Sequence, residues 1–344
     1  MRLICVAAEQ DPRWQLMTEQ HAGSLFHSPA WLGALADTYG FEPQAALAVD
    51  AGDRVVAGVS FCRIKDLGGE RIVCSPFSDY CEPLSISRDH WPTLRAALLS
   101  YGLPVSLRWR DGSSVDAGSD FVAVRRARWH GIGVDAPLDA LWMRIRSAAR
   151  RAVRKAGREG LTVGIIEDPH LEDFVRLHVA LRKRKYRLLA QPPAFFEALR
   201  SRFRRIDGWY PLAAWYRGRI VAVTIYLRWG DTLYYKFNAS DAQALCLRPN
   251  DMLLWEGIRL ARALGCRVVD LGASDDDQPG LVRFKRRFAD DERQITQLVS
   301  TPSVRADRTA HLLLSRVTQF FTSPIVPDEV TRSAGAAWYR YFVS

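Results

Sequence analysis

The most unusual chemical placement in the sequence is that of Lys285. Leu281, Phe284, Lys285 and Phe288 fall at i, i+3, i+4 and i+7, which is one face of a helix over Leu281–Phe288. Arg283, Arg286 and Arg287 lie off that face. A lysine directed inward costs free energy unless something anionic meets it. Two readings follow. Lys285 snorkels out or pairs with a core carboxylate such as Asp270, or it serves a site as a fixed cation. The residues before it add context. Arg267–Leu271 is a short β-branched apolar run that predicts a buried strand, and the acidic Gly272–Gly280 predicts a loop. Lys285 therefore follows the carboxyl end of a strand, where open α/β sheets tend to bind ligands.

Three other stretches carry candidate residues. Thr232–Ser240 alternates as a strand, with Leu233, Tyr235 and Phe237 on one side and Tyr234, Lys236 and Asn238 on the other. One side could wall a binding site. Leu181–Arg187 packs Arg182, Lys183, Arg184, Lys185 and Arg187 around Tyr186. Cations at a helix C-terminus favour its dipole, and Arg182, Arg184 and Lys185 would also suit phosphates, with Tyr186 stacking or hydrogen-bonding nearby. Arg144–Arg158 is rich in bases almost unopposed by acids. It predicts a helix bridging two lobes, with Arg146, Arg150 and Arg154 on one side, either as a solvated linker or as a phosphate-binding wall. Seven dispersed histidines have no metal-ligand spacing, and Asp275, Asp276 and Asp277 suit a helix cap as well as a cation, so no metal site is expected. GxSxG, P-loop, HExxH and Rossmann glycine motifs are missing from the sequence.

The elements that must position these residues alternate between helix and strand, predicting an α/β (α+β) protein with mixed sheets flanked by helices. Ser28 and Pro29 mark the start of a helix running to about Tyr39, and strands are expected over 44–49, 54–64 and 71–74. The loop SPFSDYCEP spans Ser75–Pro83. A similar order recurs in the second half, which predicts two lobes, 1–141 and 142–300, and a helical extension, 301–344. The net charge of +10 on 344 residues suggests an anionic partner: RNA, a nucleotide-linked precursor or an acidic membrane face. The six cysteines show no CxxC spacing, which suits a reducing compartment rather than a disulfide framework. The opening residues lack a long apolar core and no apolar run approaches about 20 residues, so a cytoplasmic location is expected.

The combination resembles the FemAB-like branch of the GNAT acyltransferase superfamily, also described as the BioF2-like acetyltransferase domain. The matching pieces are RSAARRAVRKAGREGLTV, QPPAFFEAL, VAVTIYLRWGDTLYYKFNAS, PNDMLLWEGIRLARALGCRVVDLG and GLVRFKRRF, with FHSPAWLGALADTYG and PFSDYCEPL in the first half. The resemblance implies two GNAT-like lobes and transfer of an acyl or aminoacyl group to an amine of a cell-envelope or polysaccharide precursor. It places the transfer site at the Phe284-Lys285 pair, with Lys285 stabilising developing charge and Phe284 shaping the pocket. It implies no tightly bound cofactor, and a donor that is either aminoacyl-tRNA or acyl-CoA. The partners it implies are tRNA, CoA or a nucleotide- or lipid-linked sugar precursor, with peripheral contact at the inner membrane surface. An acetyl-CoA-dependent N-acetyltransferase of an amino sugar and a non-catalytic module binding RNA or an anionic polymer stand as alternatives. Against CoA, Leu247–Leu254 has no glycine at the junction where GNAT enzymes hold pyrophosphate, and Asp251 would set a negative charge there.

Overall fold

A computed structural model describes residues 1–21, 23–85, 87–110, 119–167, 170–300 and 308–343. The first half is β1 (Arg2–Ala7), α1 (Pro12–Gln20), α2 (Pro29–Tyr39), β2 (Pro43–Val49), β3 (Val55–Asp66), β4 (Gly69–Val73), β5 (Leu84–Ser85), α3 (Trp91–Leu99), β6 (Val105–Arg110) and β7 (Phe121–Gly133). The second is α4 (Leu138–Arg144), α5 (Ser147–Arg158), β8 (Thr162–Ile165), α6 (Leu171–Leu181), α7 (Pro193–Arg204), β9 (Trp209–Tyr216), β10 (Arg219–Trp229), β11 (Thr232–Ser240), α8 (Pro249–Ala263), β12 (Val268–Asp275), α9 (Pro279–Lys285) and β13 (Asp291–Ser300). The extension adds α10 (Arg308–Phe321) and α11 (Asp328–Trp338).

The strands form one mixed sheet in the order β1-β2-β3-β4-β6-β13-β7-β12-β11-β10-β9-β8, with β5 beside β3. The two halves exchange strands at their join. β13 lies between β6 and β7, and β7 lies between β13 and β12. The β13–β7 ladder runs antiparallel from Asp291↔Gly131 to Ser300↔Phe121. Backbone bonds therefore cross the join continuously, and no strand edge is left unpaired there. The expected lobe boundary at 141/142 falls within α4, after β7, and the strand that closes the first half sits on the far side of β13.

Local chemistry accounts for many boundaries. Ser28 Oγ accepts the Trp31 N–H at 3.1 Å, Pro29 opens α2, and Gly40 closes it in the left-handed region at φ 66°. Apolar residues from the strands feed two large cores. Trp31, Phe174, Phe195 and Phe196 join one, and Ala149, Leu253, Leu254 and Ile258 join the other.

Several elements depart from expectation. The Gly272–Gly280 loop begins as strand, because β12 continues to Asp275 along β7. The next helix is α9, Pro279–Lys285, so it starts two residues early and ends at the lysine. The basic stretch is not one helix: the backbone at Ile145 and Arg146 is extended, and α4 and α5 meet there at a corner. Strand alternation also fails in β11. Its ladder with β10 passes from Ile225↔Phe237 to Tyr226↔Tyr235, leaving Lys236 as an extra residue, a bulge. Tyr235 consequently packs with the Leu253 core, and Phe237 joins Tyr234 in the Trp31 core.

Candidate active site

The site is a gap opened between two parallel strands. β11 and β12 pair at only three positions, Thr232↔Val268, Leu233↔Val269 and Tyr234↔Asp270. Beyond them both strands bulge. Lys236 is the extra residue in β11, and Leu271 with Gly272 opposes one residue of β7 in β12. The strands run on to Ser240 and Asp275 without pairing to each other. Their facing edges border a cavity of about 1010 Å³.

Lys285 lies in that cavity wall, 3% exposed. Its Nζ donates to the carbonyl oxygens of Gly272 at 3.0 Å and Ala273 at 2.8 Å. An ammonium has three donors, so one remains without a partner among the described residues. No carboxylate stands within ion-pair distance of it among those residues, which sets aside the direct pairing with Asp270. Burial lowers the Lys285 pKa to about 8; Asp79 and Asp270 oppose the shift and the Lys236 charge adds to it.

Lys236 is the second cation. Its Nζ is 3.1 Å from Asp79 Oδ2 and lies over the rings of Phe26, Trp31 and Phe237 at 4.6, 5.2 and 5.7 Å. Asp79 comes from the SPFSDYCEP loop of the first half, which makes the site a product of both halves. Gly272 is required where it stands. Its φ is +67°, and an added Cβ would lie 2.6 Å from Asp79 Oδ2.

Asp270 and Tyr234 belong to another space. They line a second cavity of about 810 Å³ with Tyr80, Arg110 and Trp129. Asp270 Oδ2 accepts from Tyr80 Oη at 2.6 Å and Trp129 Nε1 at 2.8 Å, while Oδ1 accepts the Gly272 N–H at 2.6 Å. Burial raises the Asp270 pKa, against these hydrogen bonds and Arg110. Asp270 thus acts on Lys285 through the peptide units of Gly272: its carboxylate fixes the bulge whose carbonyl receives the ammonium. Tyr234 Oη accepts the Leu25 N–H at 3.1 Å, a tie between the halves.

The other expected residues divide. Phe284, Tyr235, Lys236, Asn238, Arg182, Arg184, Lys185 and Tyr186 line the larger cavity. Asn238 Nδ2 is fixed by Thr224 Oγ1 at 2.8 Å and Asn250 Oδ1 at 3.2 Å. Arg182 Nε donates to the Leu189 carbonyl at 3.1 Å, Arg184 pairs with Asp328 at 2.7 Å, and Lys185 lies 5.0 Å over the Tyr186 ring. Arg146, Arg150 and Arg154 line neither cavity. Arg150 Nη1 donates to the carbonyls of Trp142, Met143 and Ile145 at the end of α4, and Arg154 covers the Trp142 ring at 5.4 Å. Arg150 caps and Arg154 braces the corner that sequence spacing concealed, Arg146 is exposed, and α5 packs on α8 rather than bridging two lobes. Asp251 differs too: it is buried and ion-paired to Arg287 at 2.7 Å, so its charge is answered from within and no longer opposes a phosphate.

Asp79, Arg108, Tyr339 and Phe342 also line the large cavity and were not singled out from sequence. The loop and the C-terminal aromatics were visible as segments. Their approach to Lys285 depends on contacts across hundreds of positions. Among the described residues, no group of three or more His, Cys, Asp or Glu could hold a metal, and no helix is long and apolar enough to cross a membrane.

A splayed parallel strand pair beside a buried cation fits group transfer, and residues 143–286 match the family model for an acetyltransferase (GNAT) domain. The class is therefore acyltransferase. Over the whole length the chain resembles FemX, with a TM-score of 0.64 at 13% identity, covering 91% of this chain and 100% of that one. It also resembles L-PGS from Bacillus licheniformis, with TM-score 0.56, 14% identity and coverage of 90% and 98%. A tandem GNAT protein from the clavulanic acid biosynthesis pathway aligns with TM-score 0.52, 12% identity and coverage of 88% and 99%. No curated protein sequence matches the chain. Residues 143–286 thus carry a GNAT domain, and the chain as a whole is similar in fold to FemX, L-PGS and a tandem GNAT protein.

Proposed function

We propose that this chain transfers an acyl or aminoacyl group to an amine on a cell-envelope or polysaccharide precursor, with the β11–β12 gap as the transfer site. The observation that carries the reading is the Lys285 ammonium, buried in the gap wall with two carbonyl partners and one free donor. The neutral amine attacks the acyl carbonyl carbon, and a C–N bond forms as the carbonyl π electrons move to oxygen. Collapse breaks the C–O or C–S bond to the leaving group, and the surplus amine proton leaves to solvent or to the departing group. The free N–H of Lys285 supports whichever oxygen or sulfur gains charge, from a site already desolvated and oriented. Arg182, Arg184 and Lys185 at the cavity wall suit a phosphate-bearing substrate, and Phe284 with Tyr235 shapes the apolar side.

Two donors fit this site. Aminoacyl-tRNA would place a large polyanion against the basic wall. An acyl-CoA is no longer opposed by Asp251, whose charge at the start of α8 is offset by Arg287. Transfer of acetyl to an amino sugar is the form this second reading takes. A non-catalytic binding module suits the site less well, because charge-driven binding to a polymer needs exposed bases and Lys285 is buried. Intact-mass analysis of candidate amine acceptors, after incubation with acetyl-CoA or charged tRNA, distinguishes the donors. An acyl adduct formed by the wild type and lost in Lys285→Ala supports the assignment. Wild-type turnover by Lys285→Ala on the same pair sinks it.

A further inference from the structure

The C-terminal extension presents an apolar surface that the fold does not cover. In α10, Ala310 and Thr318 are buried and Phe321 packs inward, whereas Leu312, Leu313 and Phe320 are 60%, 45% and 63% exposed. On a helical wheel those three residues lie within about 100° of one another, so they form one outward stripe. In the turn after α10, Ile325 is 88% exposed. Single exposed apolar residues are ordinary, but a contiguous set on one helix and its following turn marks a contact surface.

The charges around this stripe identify what it meets. Residues 308–327 contain no Asp or Glu, and exposed Arg316 lies within the stripe itself. At the C-terminal end of α10, Lys183, Arg184 and Arg187 gather beside Thr322 and Pro324, against Asp328 and Glu329. Arg187 Nη1 donates to the Thr322 carbonyl at 3.2 Å, which fixes the cations to the apolar segment. Arg184 also lines the large cavity, so the surface adjoins the mouth of the candidate site. A helix with an apolar outer face, a base within that face and further bases beside its C-terminal end, where Asp328 answers Lys183 and Arg184 and leaves Arg187, has the pattern of one that lies in a bilayer interface with anionic headgroups.

We infer that α10 and the Ser323–Val326 turn dock this protein on the surface of an anionic membrane, with Leu312, Leu313, Phe320 and Ile325 entering the headgroup region and Arg316 and Arg187 meeting lipid phosphates. The inference stands apart from the acyl-transfer reading, since it rests on a surface outside the cavity. Its chemical consequence is that an amine or donor carried at the headgroup level of a lipid would be presented beside the cavity mouth.

Vesicle co-sedimentation tests this with the full chain. Phosphatidylcholine vesicles containing phosphatidylglycerol should retain the protein and phosphatidylcholine alone should retain much less, with added salt weakening the difference. The double substitution Phe320→Asp with Ile325→Asp should reduce retention by about tenfold or more. Arg316→Glu should lower it by a smaller factor, and only on the anionic vesicles. All three replaced side chains are exposed, so thermal unfolding should be unchanged. The inference is overturned if wild type and double variant bind equally or neither binds. It is also overturned if analytical ultracentrifugation shows a dimer that the double variant dissociates while vesicles retain neither, because the stripe is then a self-interface.

Discussion

Two lysines of this protein are equally buried and differ in what surrounds them. Lys183 and Lys285 are each 3% exposed. Lys183 Nζ lies 2.9 Å from the Asp328 carboxylate and also donates to the Val326 carbonyl, so its charge is matched. It ties the turn after α6 to the start of α11 and lies outside the large cavity. Lys285 meets two neutral carbonyls and, among the described residues, no carboxylate, and it lines the cavity with one donor left over. Burial alone therefore does not mark a functional lysine. The proposed role of Lys285 rests instead on its unmatched charge, held by carbonyls whose own backbone is fixed by Asp270.

The comparison breaks first at Lys285. Lys285→Ala should reduce turnover by about 10²-fold or more with the cooperative thermal transition retained. Equal turnover would make Lys285 as structural as Lys183. Next comes pH. With a pKa lowered to about 8, Lys285 loses its charge above that pH, and turnover should fall about tenfold per unit once this proton is the limiting one. A turnover that rises through pH 8 would assign Lys285 to general base chemistry instead. Stability moves the other way for this group. Between about 8 and the ordinary 10.5 the unfolded chain holds a proton that the folded chain has released, so its contribution to stability rises with pH across that interval.

Lys183→Met sharpens the opposite side. It should lower unfolding free energy by about 1–3 kcal/mol, less than loss of a fully buried pair because Asp328 is 32% exposed and keeps Arg184. Turnover per folded molecule should be preserved, as measured by activity alongside denaturant titration. Gly272→Ala should affect both quantities. The left-handed backbone and the contact with Asp79 should cost about 1–2 kcal/mol, and displacement of the carbonyl that receives Lys285 should lower turnover severalfold. The smallest effect belongs to Arg150→Ala, which loses hydrogen bonds at the end of α4 and should cost about 1 kcal/mol with donor affinity unchanged in equilibrium binding. A marked loss of donor affinity would restore α5 as a phosphate wall.

The sequence by itself determined a good deal. Helical spacing set Lys285 among Leu281, Phe284 and Phe288, because a 3.6-residue period is a local property, and the lysine is buried as that period requires. Ser28-Pro29 defined the start of α2 for the same reason: a cap bonds residues three apart. What sequence could not show were features set by partners distant in the chain. The bulge at Lys236 exists only in register with β10, and it undid the alternation expected of Tyr235 and Phe237. The break at Ile145 was masked by the even spacing of Arg146, Arg150 and Arg154, whose guanidinium contacts depend on how α4 folds back. Only the tertiary structure decided that Asp270 would hold the bulge while Asp79 met Lys236, and that both acids would stand near one ammonium without touching it. Those positions follow from β7 and β13 crossing between the halves and from two strands parting after three residues, and neither leaves a period in the sequence.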